Sequence, residues 1–229
     1  MIAFLIIGFL VIIAFSLYAQ WRVKSAYHQF SQVPVESGIS GAETAQRILD
    51  AAGIHDVQIE ETESFLGDHY DPVNKRLCLS SEVYHTPSVS AVGIAAHECG
   101  HAIQHKVGYA PLHARAAVIP MALVAGNILP IVIFGGFFFG FGMLTAKLGF
   151  WCYAVLTVFQ LITLPVEFDA SRRAKIVLGE MGIVRPGGEA LGVNKVLDSA
   201  ALTYLAAFLA TLFHLVRFWL MMQSDQGRD

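Results

Sequence analysis

Charge is scarce in this chain of 229 residues: Asp, Glu, Lys and Arg make up 14% of it, against 55% hydrophobic residues. Soluble domains carry about 25% charged residues, so an ordinary water-soluble fold is excluded and a membrane protein is expected. The net charge of -3 offers no basic surface for phosphates, which argues against a nucleic-acid partner. The three cysteines, Cys78, Cys99 and Cys152, form no C-x-x-C pair and their total is odd. Neither a disulfide framework nor a cysteine zinc site is indicated.

What the chain has instead is long apolar runs. Residues 2–18 carry no charge and are followed by Gln20, Trp21, Arg22 and Lys24, which is long enough for a crossing. A cleaved signal peptide would have Lys or Arg ahead of such a run; none is there, and Ala19 is a weak cleavage site, so a retained anchor is expected. Residues 117–163 are apolar apart from Lys147. At about twenty residues per crossing they accommodate two spans, joined in the glycine-rich part from Gly135 to Gly149, with Gly126 and Pro130 loosening the first. A fourth span covers about residues 200–222, with Tyr204, His214 and Arg217 as its polar members.

Four crossings put residues 21–115 and 167–198 on one side and both termini on the other. Those two segments hold twelve of the fifteen Lys and Arg residues. Positive charge gathers on cytoplasmic loops, so this side is expected to be the cytoplasm. The missing disulfide pattern agrees.

The polar segment 21–115 contains His97-Glu98-Cys99-Gly100-His101. On a helix the two histidines lie one turn apart on one face, where both imidazoles can hold one zinc ion while Glu98 stands beside it as a base. Pro87 supplies a helix start and Gly108 a stop, framing a helix of about residues 87–107. Cys99 points away from the histidine face and reads as a packing residue. Upstream, Ser40-Gly41-Ala42-Glu43 has capping-box spacing, and Ala45, Ile48, Leu49 and Ala52 follow at helical intervals up to Gly53. Val57, Ile59 and Glu61 alternate with Gln58, Glu60 and Thr62 as in a half-buried strand. The turn-rich residues Gly67 to Pro72 then separate it from a second strand, Lys75 to Ser80, with Leu77 and Leu79 inward. That second strand is either an edge able to align a peptide by strand addition or part of an ordinary hairpin.

A catalytic zinc takes three protein ligands and leaves one position open. His105 lies on the same stripe but about 12 Å along the axis from His97, too far for a shared ion. The metzincin pattern fails, because Gln104 and Val107 occupy its later positions. Glu167, where the third apolar run ends in Leu164-Pro165-Val166-Glu167-Phe168-Asp169-Ala170-Ser171-Arg172-Arg173, is the strongest remaining ligand. A carboxylate there must be solvated, paired or metal-bound; pairing with Arg172 or Arg173 is the competing role.

Together the runs Asp68 to Pro72, Ala95 to Gln104, Thr163 to Ser171 and Ala200 to Tyr204 resemble the YugP-type neutral zinc metallopeptidases of bacterial membranes, over nearly the whole chain. The resemblance implies a membrane-bound, gluzincin-like zinc peptidase related in plan to the HtpX-type proteases, whose zinc is held by two histidines and a downstream glutamate. Carried over, the ligands are His97, His101 and Glu167, and Glu98 is catalytic. HtpX-type proteins place an aspartate four residues after the ligand glutamate; this chain has Ser171 there and Asp169 two residues after.

The fold expected is a mainly α membrane protein with about four transmembrane helices and a small α+β, zincin-like cytoplasmic domain carrying the H-E-x-x-H helix. Its segments are a first transmembrane helix (1–20), the cytoplasmic domain (21–115), a transmembrane hairpin (116–166), a cytoplasmic segment with the third ligand (167–198), a fourth transmembrane helix (199–222) and a tail (223–229). The expected activity is zinc-dependent endopeptidase cleavage of membrane or membrane-associated proteins, with one zinc per chain and the lipid bilayer as a further partner. Arg172, Arg173, His69 and Tyr204 are available as donors to a developing oxyanion. His28, His55, His85 and His113 read as surface or packing residues. A site-2-type intramembrane protease is disfavoured, because Leu197-Asp198 is followed by Ser199 and not by glycine. A non-hydrolytic membrane scaffold or adaptor tied together by zinc is the alternative of another class. The sequence specifies no oligomeric state.

Overall fold

A computed structural model describes residues 2–63, 67–140 and 142–226 of the chain. Among the described residues seven helices and three strands follow in order: α1 (Ile2–Ser31), α2 (Gly41–Ala51), β1 (Gln58–Thr62), β2 (His69–Asp71), β3 (Arg76–Ser80), α3 (Ser81–His85), α4 (Val89–Lys106), α5 (Ala110–Phe139), α6 (Gly142–Glu180) and α7 (Gly188–Gln226). Four of these helices contain stretches long and apolar enough to cross a membrane: Leu5–Ser31, Ala110–Gly136, Gly142–Glu180 and Gly188–Gln223. The chain is thus mainly helical, with four candidate membrane-spanning helices and one small sheet.

The chain divides into two units. The first comprises residues 1–18, 113–165 and 203–229; the second comprises 19–112 and 166–202. The first holds α5 from His113 onward and the parts of α1, α6 and α7 richest in apolar residues. Its helices turn back sharply: α5 ends at Phe139, Gly140 takes φ +70°, and α6 begins at Gly142. The connection is therefore far shorter than the glycine-rich stretch from Gly135 to Gly149 suggests. Most of those glycines stay helical, and two serve packing: a Cβ on Gly136 would stand 2.0 Å from the Thr145 hydroxyl oxygen and one on Gly149 would stand 2.7 Å from the Phe218 ring. Pro120 and Pro130 lie inside an unbroken α5.

The second unit is built around α4. Ser88 caps it, its hydroxyl accepting from the Ala91 amide at 3.2 Å, and Gly108 at φ +66° follows its end. The capping box at α2 is complete, with Ser40 accepting from the Glu43 amide and Glu43 accepting from the Ser40 amide. From α2, Ala45, Ile48 and Leu49 are buried in one core with Val92, Ala95, Ala96 and Cys99 of α4. Fully burying side chains such as Ile48 or Leu49 contributes about 1.5–3 kcal/mol each. Cys99 is the packing residue its position suggested: its thiol donates to the Ala45 carbonyl, and burial pushes its pKa well above the ordinary thiol value.

The sheet has the order β1-β3-β2, with β1 parallel and β2 antiparallel to β3. This corrects two expectations. The residues from Gly67 to Pro72 are not only a turn, because His69–Asp71 form β2 against Arg76 to Cys78. The strand Arg76–Ser80 is central, not an edge: both sides are paired, and Leu77, Cys78, Leu79 and Ser80 are all buried. Among the described residues β1 and β2 are the outer strands.

Candidate metal centre

α4 presents His97 and His101 one turn apart, and the same helical stripe meets α6. What lets the two helices approach is Gly100, since a Cβ there would stand 2.6 Å from the Ala170 carbonyl oxygen. The backbones touch at that point, one turn beyond Glu167. Glu167 Oε2 consequently lies 3.2 Å from His97 Nε2 and 3.6 Å from His101 Nε2. The imidazole rings meet edge to face, 4.8 Å between centroids at 84°. One donor atom from each of His97, His101 and Glu167 lies within 4.8 Å of the others.

This set fits zinc. Tetrahedral coordination with bonds of about 2.0–2.1 Å separates its donors by about 3.4 Å, and the spacings of Glu167 from the two imidazoles bracket that value. The remaining ring nitrogens are engaged elsewhere. His97 Nδ1 is 3.1 Å from the Ser171 hydroxyl, and His101 Nδ1 is 3.0 Å from Gln104 Oε1. Both Nε2 atoms are left to converge with the carboxylate. Glu167 is 3% exposed and Glu98, beside His101 on α4, is 7% exposed. Burial opposes a charge on His101, but its hydrogen bond to Glu167 and the nearby carboxylates of Glu98 and Glu167 prevail and raise its pKa.

Other residues singled out in the sequence have different partners. Asp169 receives Arg172 Nη2 and Arg173 Nε, each at 2.5 Å, so both arginines are engaged with the carboxylate two positions beyond Glu167. His69 bonds the Gly67 carbonyl at 2.7 Å. Tyr204 belongs to the other unit. His105 is hydrogen-bonded through Nδ1 to the Tyr70 hydroxyl at 2.8 Å. His55 pairs with Asp50 and His85 with Glu61 on the surface. Gln104 is the residue that sequence reasoning missed. It is fully buried and binds His101, the Val166 carbonyl and Asp169. A signal was present: an uncharged polar residue three positions after His101, directly after the apolar residues Ala102 and Ile103 on the helix.

Residues 4–223 match the family described as "Putative neutral zinc metallopeptidase". A protein of Bacillus subtilis (strain 168), described as "Putative membrane protease YugP", is 45% identical over 214 residues, covering 93% of each chain. No solved structure matches the chain. With all but its ends matched by the family and close identity to a relative of similar length, the chain belongs to this zinc metallopeptidase family.

Proposed function

We propose that the protein is a membrane-embedded, gluzincin-like zinc endopeptidase with one zinc per chain, held by His97, His101 and Glu167. The observation that carries this reading is the convergence of two imidazole nitrogens and a buried carboxylate beside a second buried carboxylate, Glu98. Zinc held by these three residues would supply Lewis acidity toward a peptide carbonyl and lower the pKa of a water. Glu98 would serve as the base that accepts a proton from the attacking water and passes it to the amine that leaves as the peptide bond breaks. His97 and His101 are held by Ser171 and Gln104 with their Nε2 atoms turned toward Glu167, so the ligand set needs little reorganisation to receive the ion.

Substrate alignment falls to β2, an outer strand on which Tyr70 is tied to His105 of α4. An extended peptide added to its free side would run beside the helix that carries Glu98. The zincin-like domain comprises residues 21–115, and the segment 167–198 supplies the third ligand; both lie on the cytoplasmic side, a reading supported by the concentration of Lys and Arg in them. Membrane or membrane-associated proteins are the substrates.

The test is proteolysis by purified protein with zinc, after chelation, and as Glu98→Gln. Cleavage should require zinc and vanish in Glu98→Gln while zinc stays bound. Bound zinc without cleavage of any of a varied substrate set by the wild type would point to the zinc-stabilised scaffold instead.

A further inference from the structure

Gln104 occupies a position from which one side chain reaches both halves of the ligand set. Its Nε2 lies 2.8 Å from the Val166 carbonyl oxygen and 3.0 Å from Asp169 Oδ2. A carbonyl can only accept, and Asp169, with an arginine donating to each of its oxygens, can only accept as well. The amino group of the Gln104 amide must therefore face α6, which leaves Oε1 facing His101 Nδ1. An amide oxygen only accepts, so the proton on neutral His101 must be on Nδ1 and the lone pair on Nε2, the atom aimed at Glu167.

We propose that Gln104 is a positioning residue, and that the chain Arg172/Arg173, Asp169, Gln104 dictates the His101 tautomer that can bind metal while pinning the turn of α6 that carries Glu167. This rests on the metal site proposed above. The two histidines differ in this respect. Ser171 can donate or accept, so its hydroxyl steadies His97 without fixing which nitrogen carries the proton. Asp169 thereby acquires a role without touching either ligand: it sets the direction in which Gln104 points.

The test is a double-mutant cycle in full-length purified protein, with zinc affinity read by chelator competition. Gln104→Met removes the acceptor and should weaken zinc about 10–100-fold. Asp169→Asn offers Gln104 an amide against which it can turn over and should also weaken zinc. Because Asp169 acts on His101 only through Gln104, adding Asp169→Asn to Gln104→Met should cost little further affinity, a non-additivity that independent losses of packing do not produce. In the zinc-loaded wild type, nitrogen-15 spectra of histidine should show a slowly exchanging His101 Nδ1 proton, and Gln104→Met should speed its exchange.

Additive losses in the double variant Gln104→Met with Asp169→Asn overturn the proposal, as does a zinc-loaded His101 bound through Nδ1. If Gln104→Met fails to fold, the nitrogen-15 spectrum of zinc-loaded wild type decides alone. A wild type that takes up no zinc overturns the metal site and this inference with it. A wild type that binds zinc alongside a Gln104→Met protein of equal affinity overturns only the inference.

Discussion

Gly100→Ala tests the contact that brings α4 and α6 together. The new Cβ would stand 2.6 Å from the Ala170 carbonyl oxygen and 3.1 Å from the Ala170 carbonyl carbon and Cα. Carbon and carbonyl oxygen rest at about 3.3 Å or more, so the helices must part locally by about 0.7 Å. Overpacking of this kind costs about 1–3 kcal/mol, and replacing a helical glycine by alanine returns about 1 kcal/mol. The net loss of stability is therefore small, about 0–2 kcal/mol. The metal site is far less tolerant. Glu167 lies one turn from Ala170, and a shift of about 0.7 Å exceeds the roughly 0.2 Å latitude of zinc–ligand distances. Zinc affinity should fall by at least about tenfold, equivalent to about 1.4 kcal/mol. The measurement pairs zinc competition with thermal melting of the metal-free protein. The expected signature is a large loss of affinity with a modest change in melting temperature. A variant that binds zinc as tightly as wild type would refute the idea that this backbone contact sets the ligand spacing.

Glu167→Ala should abolish tight zinc binding in metal analysis of the purified protein, whereas Glu98→Gln should leave zinc in place; equal zinc content in Glu167→Ala and wild type would remove Glu167 from the ligand set. The loop between β2 and β3 gives a pH dependence. Hydrogen bonds from the Asn74 side chain and backbone lower the Asp71 pKa to about 2. Because the folded value lies below the unfolded one of about 3.9, the contribution of Asp71 is present above that pH and lost as pH falls toward 2. Amide exchange in β2 and β3 should accelerate over that window, and Asp71→Asn should flatten the dependence.

Local features were legible in the sequence because their causes lie within a few residues. The Ser40–Glu43 capping box, the α4 helix around His97 and the long apolar helices all follow from spacing and composition. The proximity of Glu167 to both histidines was reachable because a carboxylate ending an apolar run needs a partner. Of the sheet, the strands Gln58–Thr62 and Arg76–Ser80 were legible in the sequence, but its pairing was not. Its central strand pairs in parallel with β1 and antiparallel with a three-residue β2, and a segment as short and turn-rich as His69–Asp71 carries no alternation of its own. The part played by Gln104 was hidden for the same reason: its meaning depends on Val166 and Asp169, far along the chain. Asp169 looked doubtful because it stands two residues after Glu167; Gln104 bridges it to His101.

His101 and Glu167 are separated in the chain by α5 and by the apolar half of α6. During synthesis the two histidines and Glu98 emerge long before Glu167, with two candidate crossings still to be made. A nascent chain therefore presents His97 and His101 before the carboxylate they pair with exists, and the three groups can converge only after α5 and the apolar half of α6 have been produced. On the proposed zinc site, metal uptake then has to wait until synthesis has passed the middle of α6.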